Sequence, residues 1–150
     1  MSIGAGVGRS IMRLRTDYRH WHMVATRWRD IDIYAHVNNV EYYTWFDTVV
    51  QSWLIEQGLL DLGSSDPIGL VVETGCRYAA PIGFPQNLDI GLSVARIGNS
   101  SVTYHLGIFP QGEVAAAAEG HFTHVYVDRA GRRPVSLPPR WRSALETLLE

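Results

Sequence analysis

One long amphipathic helix with little but strands after it sets the strongest limit on how this chain can fold. Asn38 is a good N-cap, and Glu41 three residues on completes the pattern of a capping box. Tyr42, Phe46, Val49, Val50 and Trp53 then recur at helical spacing and form one apolar face. Glu41, Thr44, Thr48, Gln51 and Ser52 fall on the other side, and Gly58 suits the position just past the helix end. An aromatic face of this length needs a broad apolar surface to cover it.

The segments around the helix supply that surface. Before it, 22–28 (HMVATRW) is rich in strand formers and reads as a first strand. After the 63–67 loop, Leu70, Val72, Thr74, Cys76 and Tyr78 alternate with Val71, Glu73, Gly75 and Arg77. The same period of two runs through 88–95 and 101–108, with Gly98-Asn99 and Pro110-Gln111-Gly112 as turns. A long last strand is expected over 113–128, opening on an alanine run, and a short helix over 140–149. Short connections make the last strands antiparallel. The expected class is α+β, a curved antiparallel sheet packed on a single central helix.

At 150 residues, 46% hydrophobic and 19% charged, the chain is the size of one domain with a real core. A net charge of −2 gives no general attraction to nucleic acid or anionic membrane. With Cys76 alone, no disulfide framework can form within the chain, and Cys76 reads as a small core residue. No run is long enough to span a membrane, and neither 1–10 nor 11–19 reads as a secretion signal. The expectation is a cytoplasmic protein with a loose segment over residues 1–20 and one domain over 21–150.

Chemistry concentrates between the first strand and the helix, in RDIDIYAHVNNVEY from Arg29 to Tyr42. Two carboxylates, a histidine and two asparagines crowd a loop held by rigid elements, where function tends to gather. If Asn38 caps the helix and Glu41 folds back on it, the Asn39 amide is left without a partner at the positive end of the helix dipole. Such a donor suits a carbonyl oxygen that becomes an oxyanion. Asp30 and Asp32 stand two apart near the helix N-terminus, where the dipole holds a carboxylate ionised, and an ionised carboxylate can activate water or attack a carbonyl; Asp30 reads as structural, a partner for Arg27 or Arg29. A thioester asks for little more, because its thiol, with a pKa of about 8.5 by analogy with cysteine, leaves as thiolate without a strong acid.

The stretch RWRDIDIYAHVNNVEYYTWFD resembles the signature of the 4-hydroxybenzoyl-CoA thioesterase branch of the hotdog superfamily, often D-x-D-x-x-G-H-V-N-N-x-x-Y. Cys76-Arg77-Tyr78 with Pro81, the turn from Arg96 to Ser101, His124 to Asp128 and Arg132-Arg133-Pro134-Val135 extend the likeness from about Met23 to the end. The resemblance implies a hotdog fold and hydrolysis of acyl-CoA, without a metal or organic cofactor. It implies Asp32 as the catalytic carboxylate and the Asn39 amide as oxyanion donor. Tyr42 would anchor the helix, and His36 and Asn38 would shape the loop and contact substrate. The family builds its sites between subunits, so the resemblance implies a homodimer or homotetramer. The frequent glycine is Ala35 here, and alanine tolerates a positive φ poorly, so a local difference is expected.

Other readings stay open at this level. The turn arginines Arg129, Arg132 and Arg133 would allow an acyl carrier protein as substrate carrier, and a non-catalytic acyl-CoA-binding module is a further alternative. A hydratase lacks its motifs here. Glu73 reads as structural or rim-facing. His20 and His22 sit near the loose segment, and His121 and His124 should point to opposite faces of a strand, so neither pair is expected to hold a metal.

Overall fold

The computed structural model describes residues 12–150. Five strands form one antiparallel sheet: β1 (His20–Ala25), β2 (Ile68–Tyr78), β3 (Asn87–Ile97), β4 (Ser101–Pro110) and β5 (Ala118–Val127), in the spatial order β1-β3-β4-β5-β2. Helix α1 (Asn39–Glu56) packs on one face, and α2 (Pro139–Glu146) follows the last strand. The order of elements is the one expected from the sequence, with differences at the ends. The first strand stops at Ala25, and Trp28–Asp30 is a 3-10 turn. The last strand starts at Ala118 rather than at 113, since the preceding residues make the turn.

All five residues of the expected helix face are buried, together with Trp45 and Leu54. Against them lie Leu88, Ile90, Leu92 and Val94 of β3 and Val102, Tyr104, Leu106 and Ile108 of β4, all fully buried. Burying a side chain of this kind contributes roughly 1.5–3 kcal/mol, so this interface dominates the stability of the domain. Closeness on β5 requires Gly120, where a Cβ would come within 2.6 Å of the Phe46 ring edge. Gly58 takes φ +69° and ends α1, and the Leu59 amide donates to the Leu54 carbonyl.

Of the loose segment expected over residues 1–20, residues 1–11 lie outside the described residues. Residues 12–19 pack against the sheet face opposite α1. Tyr18 is buried there, over Gly91 and Gly107, where a Cβ would come within 2.6 Å and 2.5 Å of its side chain. Arg13 pairs with the Glu150 carboxylate, and its amide donates to Glu119. The packed chain therefore begins before the expected boundary.

The two histidines of β5 take opposite faces. His121 bonds exposed Glu73 at 3.0 Å, while His124 is buried among Tyr104, Phe122 and Tyr126. Burial pushes the His124 imidazole from 6.5 down to about 4, against a weaker upward pull from Asp47 of α1. Above pH 6.5 this ring is neutral in both states. As pH falls through 6.5, the unfolded chain takes up a proton that the folded chain refuses until about pH 4. Stability attached to this ring is therefore lost between these values, up to about 3 kcal/mol. Urea titrations at pH 7 and pH 4.5 should show a smaller pH-dependent loss for His124→Asn than for the wild type.

Candidate active site

The loop between β1 and α1 is a tight turn closed by a bridge between Ile31 and Val37. The Asp32 amide donates to the His36 carbonyl at 2.9 Å, and the Ala35 amide returns to the Asp32 carbonyl at 3.1 Å. One carboxylate oxygen of Asp32 accepts from the Tyr34 amide at 2.8 Å, an Asx turn. The other accepts from no group among the described residues. Buried Val37 and its amide, which donates to the Ile82 carbonyl, tie the turn to the connection between β2 and β3. Asp32 is thus half-buried, fixed in rotamer by its own backbone, and left with one open oxygen.

Ala35 occupies the left-handed region at φ +62°. The alanine standing where the family's motif often has glycine therefore carries backbone strain. Ala35→Gly is expected to raise unfolding stability by about 1 kcal/mol, read as a higher urea midpoint with an unchanged slope.

Asn38 caps α1 as expected, its side-chain oxygen accepting from the Val40 amide at 3.1 Å. The reciprocal half of the capping box does not form. Glu41 lies 3.4 Å from the Arg27 guanidinium, and the Asn38 amide donates instead to the Asp30 carbonyl at 2.8 Å. Arg27 is held in turn by Asp30, whose side chain is fully buried and also accepts from the Arg27 amide at 2.7 Å. Asp30 is structural, joining the 3-10 turn to the helix start. The consequence at Asn39 is the one expected by a different route: its amide has no acceptor among the described residues.

His36, Asn39 and Tyr42 come together in the wall of one cavity of about 200 Å³, with Val37 and Tyr78 to Pro81. Neither Asp32 nor Asn38 is among its lining residues. Asp32 sits across the turn from His36, joined to it through the backbone. Tyr42 is buried edge-on to Tyr78, centroids 4.8 Å apart, and burial raises its hydroxyl to about 12, so it stays protonated at neutral pH. Tyr78 reaches toward the Asn39 carbonyl at 3.5 Å. The segment from Tyr78 to Pro81 carries no chemistry of its own, and the signal for it in the sequence is the family likeness of Cys76-Arg77-Tyr78 with Pro81. Nearby Cys76 has its thiol pushed up to about 11 by burial, which keeps it from acting as a thiolate at neutral pH.

Trp28, Ile33, Tyr34 and Val40 are strongly exposed apolar residues of this loop and helix start. Among the described residues no group of His, Cys, Asp and Glu is placed to hold a metal ion, and no helix is long and apolar enough to cross a membrane.

Comparison with known proteins gives this geometry a family. The PA5185 protein of Pseudomonas aeruginosa is 51% identical, with a TM-score of 0.88 over 91% of this chain and 96% of that one. The PA2801 protein of the same species is 26% identical, with a TM-score of 0.79 over 85% and 98% of the two chains. A gentisyl-coenzyme A thioesterase, BH1999, shares the fold at 24% identity and a TM-score of 0.74, over 84% and 99%. The architecture is that of the hotdog thioesterases, as the sequence led us to expect. The model of the thioesterase-like superfamily matches residues 26–145, and the chain belongs to that superfamily.

Proposed function

We propose that this protein hydrolyses acyl-CoA thioesters to a free acid and CoA at the N-terminal end of α1. Membership of the thioesterase-like superfamily supports thioester hydrolysis as the reaction. The observation that carries the assignment to this place is the unpartnered Asn39 amide in the same cavity wall as His36 and Tyr42. A backbone donor at a helix N-terminus stabilises an oxyanion without reorganising. The thioester carbonyl oxygen sits at the Asn39 amide. The free oxygen of Asp32 either takes a proton from water as that water attacks the carbonyl carbon, or attacks the carbon itself to give an anhydride that water opens. In both routes the C–S bond breaks with its electron pair going to sulfur. CoA leaves as thiolate and takes up a proton, and water supplies the second acid oxygen. His36 contacts the substrate, Asn38 shapes the helix start through its cap on the Val40 amide, and Tyr42 holds that start against Tyr78.

CoA as the carrier fits the gentisyl-coenzyme A thioesterase of the same fold. The exposed Ile33, Tyr34 and Val40 around the site support closure by a second copy of the chain, a homodimer or a tetramer built from it. The test is free-thiol release from a panel of short, long and aromatic acyl-CoA esters. Turnover with at least one ester is the expected result. Esters that raise the melting temperature without any thiol release would replace the hydrolase with an acyl-CoA-binding module.

A further inference from the structure

The Asn39 amide has a charged competitor in its own helix turn. At the start of α1 the Asn38 side-chain oxygen accepts from the Val40 amide at 3.1 Å, and the Asn38 carbonyl accepts from the Glu41 amide at 3.0 Å. The Asn38 amide is spent on the Asp30 carbonyl at 2.8 Å. In this first turn the Asn39 amide is therefore the one backbone donor with no acceptor among the described residues.

Glu41 stands at the third helical position, from which a glutamate side chain ordinarily folds back onto the helix start. Its usual target there, the Asn38 amide, is already taken. The donor that a released Glu41 carboxylate meets is the Asn39 amide, and the helix dipole favours that contact. A carboxylate in this position takes the place of the substrate carbonyl oxygen, and its charge opposes the oxyanion that forms there.

Arg27 stands against this movement. Its Nε and Nη2 both donate to one oxygen of the buried Asp30 carboxylate, at 3.1 Å and 2.8 Å, and its amide donates to the other oxygen at 2.7 Å. The same Nη2 faces Glu41 Oε2 at 3.4 Å. The rigid guanidinium fork, fixed from behind by Asp30, thus presents a cation to Glu41 in one set position. A half-exposed pair of this kind adds little to stability, yet its scale is enough to decide between two positions of one flexible side chain.

We propose that Arg27 is a positioning residue that holds the Glu41 carboxylate off the Asn39 amide and so keeps the oxyanion site open for substrate. Neither Arg27 nor Glu41 lines the cavity at Asn39, so neither is assigned a contact with substrate. The effect on turnover rests on the hydrolysis reading above, whereas the state of the amide does not.

Arg27→Gln keeps an amide donor for Asp30 and removes the cation that faces Glu41. In proton–nitrogen correlation spectra its Asn39 amide proton should move downfield on bonding a carboxylate, with exchange slowed at least about 5-fold. Adding Glu41→Ala should return both to their wild-type values. In thiol release from the acyl-CoA panel, Arg27→Gln should lose at least about 5-fold in kcat/KM, because the competent state is less populated. Glu41→Ala alone should stay within about 2-fold of the wild type, and the double variant should recover to the same range. A role for Arg27 confined to stability would leave the double variant as slow as Arg27→Gln. If Arg27→Gln fails to fold, Asp30→Asn/Arg27→Gln, which removes the buried charge together with its partner, carries the same comparison with and without Glu41→Ala. An Asn39 amide unchanged by the loss of Arg27, or no recovery on adding Glu41→Ala, would overturn the proposal. Absence of thiol release from every ester would remove the hydrolysis reading, and the amide spectra would still decide where Glu41 goes.

Discussion

Asn39→Pro is expected to lower kcat for the hydrolysed ester by about 100–1,000-fold, while the protein stays folded. Few substitutions remove a backbone donor so cleanly. Asn39 is the first residue of α1, where proline is favoured because its missing N–H has no helical partner anyway. Asn38 already has the extended backbone that a following proline requires, at φ −61° and ψ 135°. The amide donates to nothing among the described residues, so no internal hydrogen bond is lost. Unfolding stability should therefore change by less than about 1 kcal/mol. Asn39→Ala keeps the N–H and removes the same side chain, and it should retain near-normal kcat. Equal losses in both variants would point to the Asn39 side chain and away from its amide.

Asp32→Asn should cost at least about 100-fold in kcat through the loss of a base or nucleophile. The geometry makes this a test of chemistry. The amide oxygen of asparagine can still accept from the Tyr34 amide at the position of the present 2.8 Å bond, so the turn should hold its shape. What disappears is the negative charge and the open oxygen. A change in KM with little change in kcat would instead assign Asp32 to substrate binding alone.

Much of the frame is legible in local pattern. The spacing of Tyr42, Phe46, Val49, Val50 and Trp53 gives the buried face of α1, and Asn38 and Gly58 give its ends. Alternation through 70–78, 88–95 and 101–108 gives three of the strands. The errors fall where a distant partner decides. Glu41 leaves the capping box because Arg27, fourteen residues earlier, is brought beside it by the buried carboxylate of Asp30. The first strand ends early because that same pair closes a 3-10 turn where strand formers continue. Residues 12–19 pack because glycines on two different strands leave a slot for Tyr18, a match that no local window contains.

The site divides along the same line. Asp32, His36, Asn38, Asn39 and Tyr42 stand within eleven residues, and the motif picks them out together. The opposite wall, from Tyr78 to Pro81, arrives from the end of β2 and carries no chemical signature. The arrangement of His124, Tyr126 and Tyr104 depends on the pairing of β4 with β5, so it too is invisible until the sheet is formed.

The central claim is thioester hydrolysis at the α1 N-terminus, and one measurement meets it most directly: free-thiol release from the acyl-CoA panel by wild type and Asp32→Asn, side by side. The account predicts turnover of at least one ester by the wild type and a loss of at least about 100-fold in the variant. Equal rates in the two proteins would contradict the placement of the chemistry at Asp32, and the absence of thiol release from every ester would contradict the hydrolysis itself.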